Sequence, residues 1–285
     1  MNDAFWAPFA DNEFMRHALT AGVLVSVLCS FVGVFVVLRG MAFVGDALAH
    51  GVLPGVAGAM LIGVPGFFGA AVGAGVLMGG VGLVTRRSRL SSDTAIGLFF
   101  VGMLSLGVIM TSRSSTFSGD ITRILFGEIL GTSTTQLWWQ LVAVVVIAAA
   151  VIVCHRPFLL LTIDHDLAQT SGFNASRYNV VMLATIATAV LASFQTVGTL
   201  LVFGMLIAPS ATAALVTRRF SSMVLVASVV GAISTYLGLL ISFHADLAAG
   251  ATVVLVAVAI FLLVFVIAGG ERHVPPTHPS HGAHH

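Results

Sequence analysis

The chain has 285 residues, 58% of them hydrophobic and 8% charged, with a formal net charge of +1 and a mean hydropathy of +1.06. A soluble domain carries about a quarter charged residues, so a soluble globular protein is excluded, and the near-neutral balance leaves no basic surface for a nucleic-acid partner. What remains is an all-α, polytopic helical membrane protein, because apolar runs of about 20 residues satisfy their backbone polar groups segment by segment as helices.

The first segment, residues 1–17, opens MNDAFWAPFADNEF and lacks the basic stretch of a secretory signal peptide. The first apolar run is therefore expected to stay as a membrane span. Nine runs succeed one another along the chain: 18–38, 43–62, 66–85, 94–112, 136–154, 178–195, 199–217, 222–242 and 249–268. Together they make one transmembrane domain over 18–268, with a His-rich tail over 269–285. The narrowest boundary lies at 195–199, where few polar residues separate two runs.

The links between runs sort alternately into two sets. One holds Arg39, Arg86, Arg87, Arg89, Arg156, Arg177, Arg218, Arg219 and Arg272; the other, with the N-terminus, holds only Arg16, Arg113 and Arg123, and the chain has no lysine. The positive-inside rule then predicts an outer N-terminus and a cytoplasmic C-terminus. Two cysteines, Cys29 and Cys154, lie in or at the end of apolar runs and read as small apolar side chains rather than a disulfide framework.

Glycines are numerous, and Gly51, Gly55 and Gly58, like those of GAAVGAGVLMGG (Gly69 to Gly80), fall at the spacing that lets helices approach closely, within one chain or between two. Two links are more than turns. On the outer side, FSGDITRILFGEILG places Ile121, Ile124, Leu125 and Ile129 on one face and predicts a short interfacial or re-entrant helix. On the cytoplasmic side, LTIDHDLAQTSGFNASRY predicts a short helix opened by acids at 164–166 and stopped by Gly172, either a plain connector or a docking element.

Of the nine runs, only the second carries ionisable residues: Asp46 and His50, in FVGDALAHGVLPGVAG. Ionisable residues inside a span are costly and mark ion or substrate pathways. At i and i+4 they project from one helix face with Cβ atoms about 5–6 Å apart, a spacing that grips one divalent cation. Pro54, four residues past His50, predicts a kink beside them. A plainer reading also stands at this point, with Asp46 complementing the helix N-terminus and His50 a hydrogen-bonded core histidine. Two ligands do not complete a metal shell; water, another span or a partner must supply the rest.

Other candidates are weaker. His244 and Asp246 in the last outer link stand where an arriving cation passes, or are simply solvated. Asp120 and Glu128 are outer-face acids, and Asp93 reads as a cap or first-turn acid. The tail ERHVPPTHPSHGAHH holds His273, His278, His281, His284 and His285, a tract able to bind metal. Neither HExxH nor GxSxG occurs, which leaves an intramembrane enzyme little to stand on. The chain lacks a phosphate-binding GxxxxGK[ST], so any ATP-driven step needs a partner.

Taken together, RGMAFVGDALAHGVLPGVAG, SSDTAIGLFFVGMLSLGVI, DITRILFGEIL, DHDLAQTSGF, VGTLLVFGMLIAPSATA and DLAAGATVVL resemble, in order and over roughly residues 15–268, the metal-ion permease subunits of ABC transporters. The resemblance implies a permease carrying zinc or manganese, with iron(II) as a further cargo, through the bacterial cell membrane. It implies a homodimer bound to two cytoplasmic ATPase subunits that hold the ATP, supplied by an extracytoplasmic metal-binding protein, with no intrinsic cofactor. By similarity, Asp46 and His50 are the pathway ligands. The segment with Asp164, Asp166, Leu167, Ala168 and Gly172 is the ATPase-coupling helix. The outer link departs from the family pattern, reading DLAAG where relatives often have Asp-Thr-Pro-Ser/Ala-Gly, which weakens the role of Asp246. The alternatives are a permease for an organic metal chelate, such as a siderophore or corrinoid, and a stand-alone secondary carrier.

Overall fold

The computed structural model describes residues 8–41, 43–88, 90–111, 129–163 and 169–269. Every regular element among the described residues is helical. In chain order these are α1 (Glu13–Leu38), α2 (Val44–Gly51), α3 (Leu53–Leu61), α4 (Gly66–Arg87), α5 (Ser92–Thr111), a 3₁₀ turn (Ile129–Gly131), α6 (Thr134–Ile163), α7 (Ala175–Val197), α8 (Thr199–Val216), α9 (Phe220–Ala245) and α10 (Ala249–Gly269). Eight of them are long and apolar enough to cross a membrane. The second apolar run is the exception in length only, because it folds as the two short helices α2 and α3, interrupted at Val52.

Apolar composition all round a helix means burial in protein or in lipid, and the helices divide on that line. In α1, 67% of the most apolar window is buried, against 17% in α5, α6 and α10. Helix α1 is the central post, and its polar residues are placed to be satisfied: the Ser30 hydroxyl donates to the Ser26 carbonyl at 2.7 Å, and the Ser26 hydroxyl to the Ser228 carbonyl of α9 at 3.2 Å. Close approach of α1 and α8 requires Gly33, where a methyl group would overlap the Leu206 carbonyl. Several of the small residues noted at 51–80, Gly51, Gly55, Gly69 and Gly73 among them, likewise serve packing within the chain, while Gly75 and Gly79 face open space. A methyl on Gly73 of α4 would sit 2.9 Å from the Gly51 carbonyl, and Gly55 meets the backbone of Gly69.

Helix α6 runs well past the expected boundary at 154, through His155, Arg156 and Pro157, to Ile163. Those residues read as a stop, yet the extension is anchored by packing. Phe158 is fully buried and meets Phe35 edge-on with ring centroids 5.5 Å apart. At the 195–199 boundary, α7 and α8 are separated by Gly198 alone, which takes φ 81°, a conformation suited to glycine. Near the same end a small polar set ties α6 to α7: Gln140 donates to the Ser193 hydroxyl at 3.4 Å and accepts from the Thr196 hydroxyl at 3.2 Å. Just past the other end of α1, Arg39 donates to the Asn179 side-chain carbonyl of α7 at 2.7 Å, and its partial burial lowers the guanidinium pKa from its ordinary value.

Candidate functional site

Helix α2 carries Asp46 in its first turn and His50 in its last. Its backbone is wedged against α8, since a methyl on Gly45 would meet Leu206 and Phe203, and against α4, where Gly51 faces Leu77. Wall contacts on these sides leave the Asp46/His50 side only half covered, with 36% and 26% of the two side chains exposed. At this i,i+4 spacing the two side chains meet, for His50 Nε2 lies 3.5 Å from Asp46 Oδ1. Two ligands each about 2.1 Å from one cation and at the tetrahedral angle are about 3.4 Å apart, so the pair is set at the bite of a single small cation.

The rest of the imidazole is held apart from polar groups. Nδ1 is buried without a hydrogen-bond partner, and the ring meets Phe100 of α5 edge-on at 5.6 Å. Buried imidazole nitrogens ordinarily bond to a carbonyl or hydroxyl, and Nδ1 has no such partner among the described residues. Phe100 was not legible as part of the site, because one more aromatic residue in an apolar run carries no signal.

The break after α2 comes from Pro54. Proline lacks the N–H that would bond to the carbonyl four residues back, and here that carbonyl belongs to His50 itself. The Val52 amide is shared between the Leu48 and His50 carbonyls, and the helix resumes at Leu53. The site therefore combines a carboxylate and an imidazole one turn apart on α2, directly before the interruption at Val52.

Other candidates stand apart from it. Among the described residues no group of three or more His, Cys, Asp or Glu side chains comes together to hold a metal ion. Asp93 lies in the first turn of α5, where the Ser91 hydroxyl accepts from the Thr94 amide at 3.2 Å as the cap, and one Asp93 carboxylate oxygen is buried without a partner. Asp246 caps α9 in the left-handed conformation at φ 51°, and His244, in the last turn of that helix, bonds through Nδ1 to the Leu240 carbonyl at 2.9 Å. Both are exposed residues of a helix terminus. Gly172 takes φ 84° after a short helical stretch at 169–170, as a helix stop should. Asp164, Asp166, Leu167 and Ala168, the outer acids Asp120 and Glu128, and the tail histidines 273, 278, 281, 284 and 285 lie outside the described residues.

Comparison with known proteins covers the same stretch as the motif resemblance, the whole membrane domain. The manganese transport system membrane protein MntC of Halalkalibacterium halodurans is 37% identical over 261 residues, covering 92% of this chain and 89% of that protein. The chelated iron transport system membrane protein YfeD of Yersinia pestis is 35% identical, covering 94% and 89%. Among solved structures, PsaBC from Streptococcus pneumoniae in complex with Fab superposes with a TM-score of 0.80 at 32% identity, over 93% of this chain and 95% of that one. A putative metal-chelate type ABC transporter in an inward-facing conformation shares the fold at TM-score 0.72 and 16% identity. Residues 11–268 match the sequence model of the ABC 3 transport family, and with relatives this similar over nine-tenths of its length, the chain belongs to that family.

Proposed function

We propose that this protein is the permease subunit of an ABC importer that moves a divalent transition-metal cation across the bacterial cell membrane, with Asp46 and His50 as its pathway ligands. The observation that carries the assignment is the 3.5 Å Asp46–His50 pair on a broken, half-covered helix in a chain of this family. Manganese is the first candidate, since a carboxylate with water and without thiolate suits it and the relatives MntC and ScaB are named for manganese transport. Iron(II) comes next, through YfeD. A bite fitted to one small ion favours a bare cation over an organic chelate, which needs width and hydrogen-bonding walls.

Transport proceeds by alternating access. A cation handed over by an extracytoplasmic binding protein meets Asp46 and His50 in a passage between two copies of the chain. The second copy and water complete the shell that two side chains leave open. The N-terminus lies outside and the C-terminus inside, so the 164–172 segment faces a cytoplasmic ATPase dimer, where ATP is bound and hydrolysed. Closure transmitted through that segment releases the ion inward. His244 and Asp246 are passed on the outer approach. Binding requires a neutral imidazole and an ionised carboxylate, so acidification weakens it; uptake of radiolabelled manganese falling with outer pH at constant membrane potential is the expected result.

The test is the zinc, manganese and iron content of metal-starved native cells by mass spectrometry. The strains are wild type, a deletion, and the deletion complemented with wild-type or His50→Ala protein, all lacking the tail histidines. One metal should fall on deletion and be restored by wild type alone. Restoration by His50→Ala would remove the pair from the pathway, and unchanged metals in the absence of a second importer would remove the cation as cargo.

A further inference from the structure

A cavity of about 670 Å³ lies between α4 and α7, lined on one side by Phe67, Gly75, Gly79 and Leu83 and on the other by residues from Asn179 to Leu191 and Ala192. From Phe67 to Leu83 the helix rises about 24 Å, so the cavity is an elongated groove running along most of a bilayer core. Its lining contains no charged residue, and Asn179 and Thr188 are its only polar side chains. Gly75 and Gly79 form an open floor, since a methyl on either would meet nothing within 4 Å.

The two ends of the groove differ. Where α4 begins and α7 finishes, at Phe67 and Leu191, the lining is wholly apolar. Where α4 finishes and α7 begins, arginines gather. Arg39 is held on the lining residue Asn179 at 2.7 Å, Arg87 is the last residue of α4, and Arg177 stands in the first turn of α7. Arg87 and Arg177 are exposed. Position 87 comes four residues after Leu83 and position 177 precedes Val180 by three, so both fall on the helix stripes that line the groove. An apolar slot with a basic mouth at one membrane face has the charge and shape complementarity of one amphiphile, and basic pockets between membrane helices take anionic lipid head groups.

We propose that this groove binds an anionic phospholipid, with an acyl chain along Gly75 and Gly79 and the phosphate among Arg39, Arg87 and Arg177. The lipid fills the open joint between α4, which packs against the α2–α3 run, and α7, which succeeds the 169–172 turn. The inference rests on the groove and its arginines and is independent of the transport assignment.

Native mass spectrometry of the full chain, stripped of lipid in non-ionic detergent and titrated with phosphatidylglycerol or phosphatidylcholine of the same acyl chains, tests it. Phosphatidylglycerol should bind at least about tenfold more tightly, from the contribution of several arginines at a membrane surface. The double variant Arg87→Gln, Arg177→Gln, which keeps the Arg39–Asn179 bond, should bring it to the phosphatidylcholine level. Gly79→Leu, directed into open space, should remove the tight adduct while the thermal midpoint is retained. Inorganic phosphate should fail to displace the lipid. Equal binding of the two lipids, an adduct indifferent to Gly79→Leu, displacement by phosphate alone, or a lipid-free dimer that Gly79→Leu dissociates would each overturn the proposal, the last by assigning the groove to a second copy of the chain.

Discussion

Two spans that pack against each other both contain proline, and only one of them is broken. Pro209 sits inside α8, a continuous helix from Thr199 to Val216. Pro54 lies in the α2–α3 run, which is interrupted at Val52. Each proline removes one i→i−4 bond, so the missing bond alone does not decide the outcome. The surroundings differ: 61% of the apolar window of α8 is buried, and α1 and α9 grip it through the Gly33 contact and the Pro209–Gly231 approach. The Asp46/His50 side of α2 is half covered. Clamped at Gly33 and Gly231, α8 runs unbroken through Pro209, whereas the α2–α3 run, with its Asp46/His50 side partly open, is interrupted two residues before Pro54.

If that contrast separates a working helix from a supporting one, the largest effect belongs to the site. His50→Ala should reduce manganese uptake at least about a hundredfold at unchanged membrane abundance, because removing a ligand costs no less than removing the groups that orient one. Radiotracer uptake in a strain lacking the native protein measures it, and wild-type uptake by this variant would erase the distinction between the two spans. Next in size is the support. Gly33→Leu forces carbons against the Leu206 carbonyl, and overpacking of this kind costs about 1–3 kcal/mol or more. A lower thermal midpoint in detergent is expected, and an unchanged midpoint would mean that α1 and α8 are not clamped at Gly33.

Most of the architecture was open to reading because lipid makes it so. A bilayer demands long apolar helices, and the nine runs located them to within a few residues wherever the ends were set by loops. The ends that escaped were set by packing, as at α6, where Phe158 lodges against Phe35 and carries the helix past Arg156 and Pro157. Asp46 and His50 were conspicuous because charge in a span is rare, and their spacing fixed their face. The identity of the covering residue, Phe100, and the unpartnered state of Nδ1 depend on how α5 docks on α2. No local pattern encodes that docking. The Arg39–Asn179 bond, joining residues 140 apart in sequence, was hidden for the same reason.

A smaller effect probes the break directly. Pro54→Ala returns the N–H that can bond to the His50 carbonyl, which lets α2 run into α3 without the interruption at Val52 and shifts the backbone that carries the pair. Manganese affinity should fall several-fold, read as a raised half-saturation concentration for uptake with little change in the maximal rate. Unchanged half-saturation would make the break a packing accident with no part in holding the ion.

The smallest effect completes the contrast. Two side-chain atoms in these two helices are buried without hydrogen-bond partners: His50 Nδ1 on α2 and Ser210 Oγ on α8. An unsatisfied buried polar atom carries a desolvation cost of about 1–3 kcal/mol, and a structure keeps it for a use or merely tolerates it. The Ser210 hydroxyl is crowded against Gly33 at the α1–α8 contact, beside the Leu206 carbonyl. Ser210→Ala deletes that hydroxyl while leaving the helix contact intact, so uptake should stay at the wild-type level and the thermal midpoint should hold or rise slightly. A large loss of uptake from so conservative a change would show that the polar atom on the supporting helix is also in use, and the pathway would then have to be extended from α2 into α8.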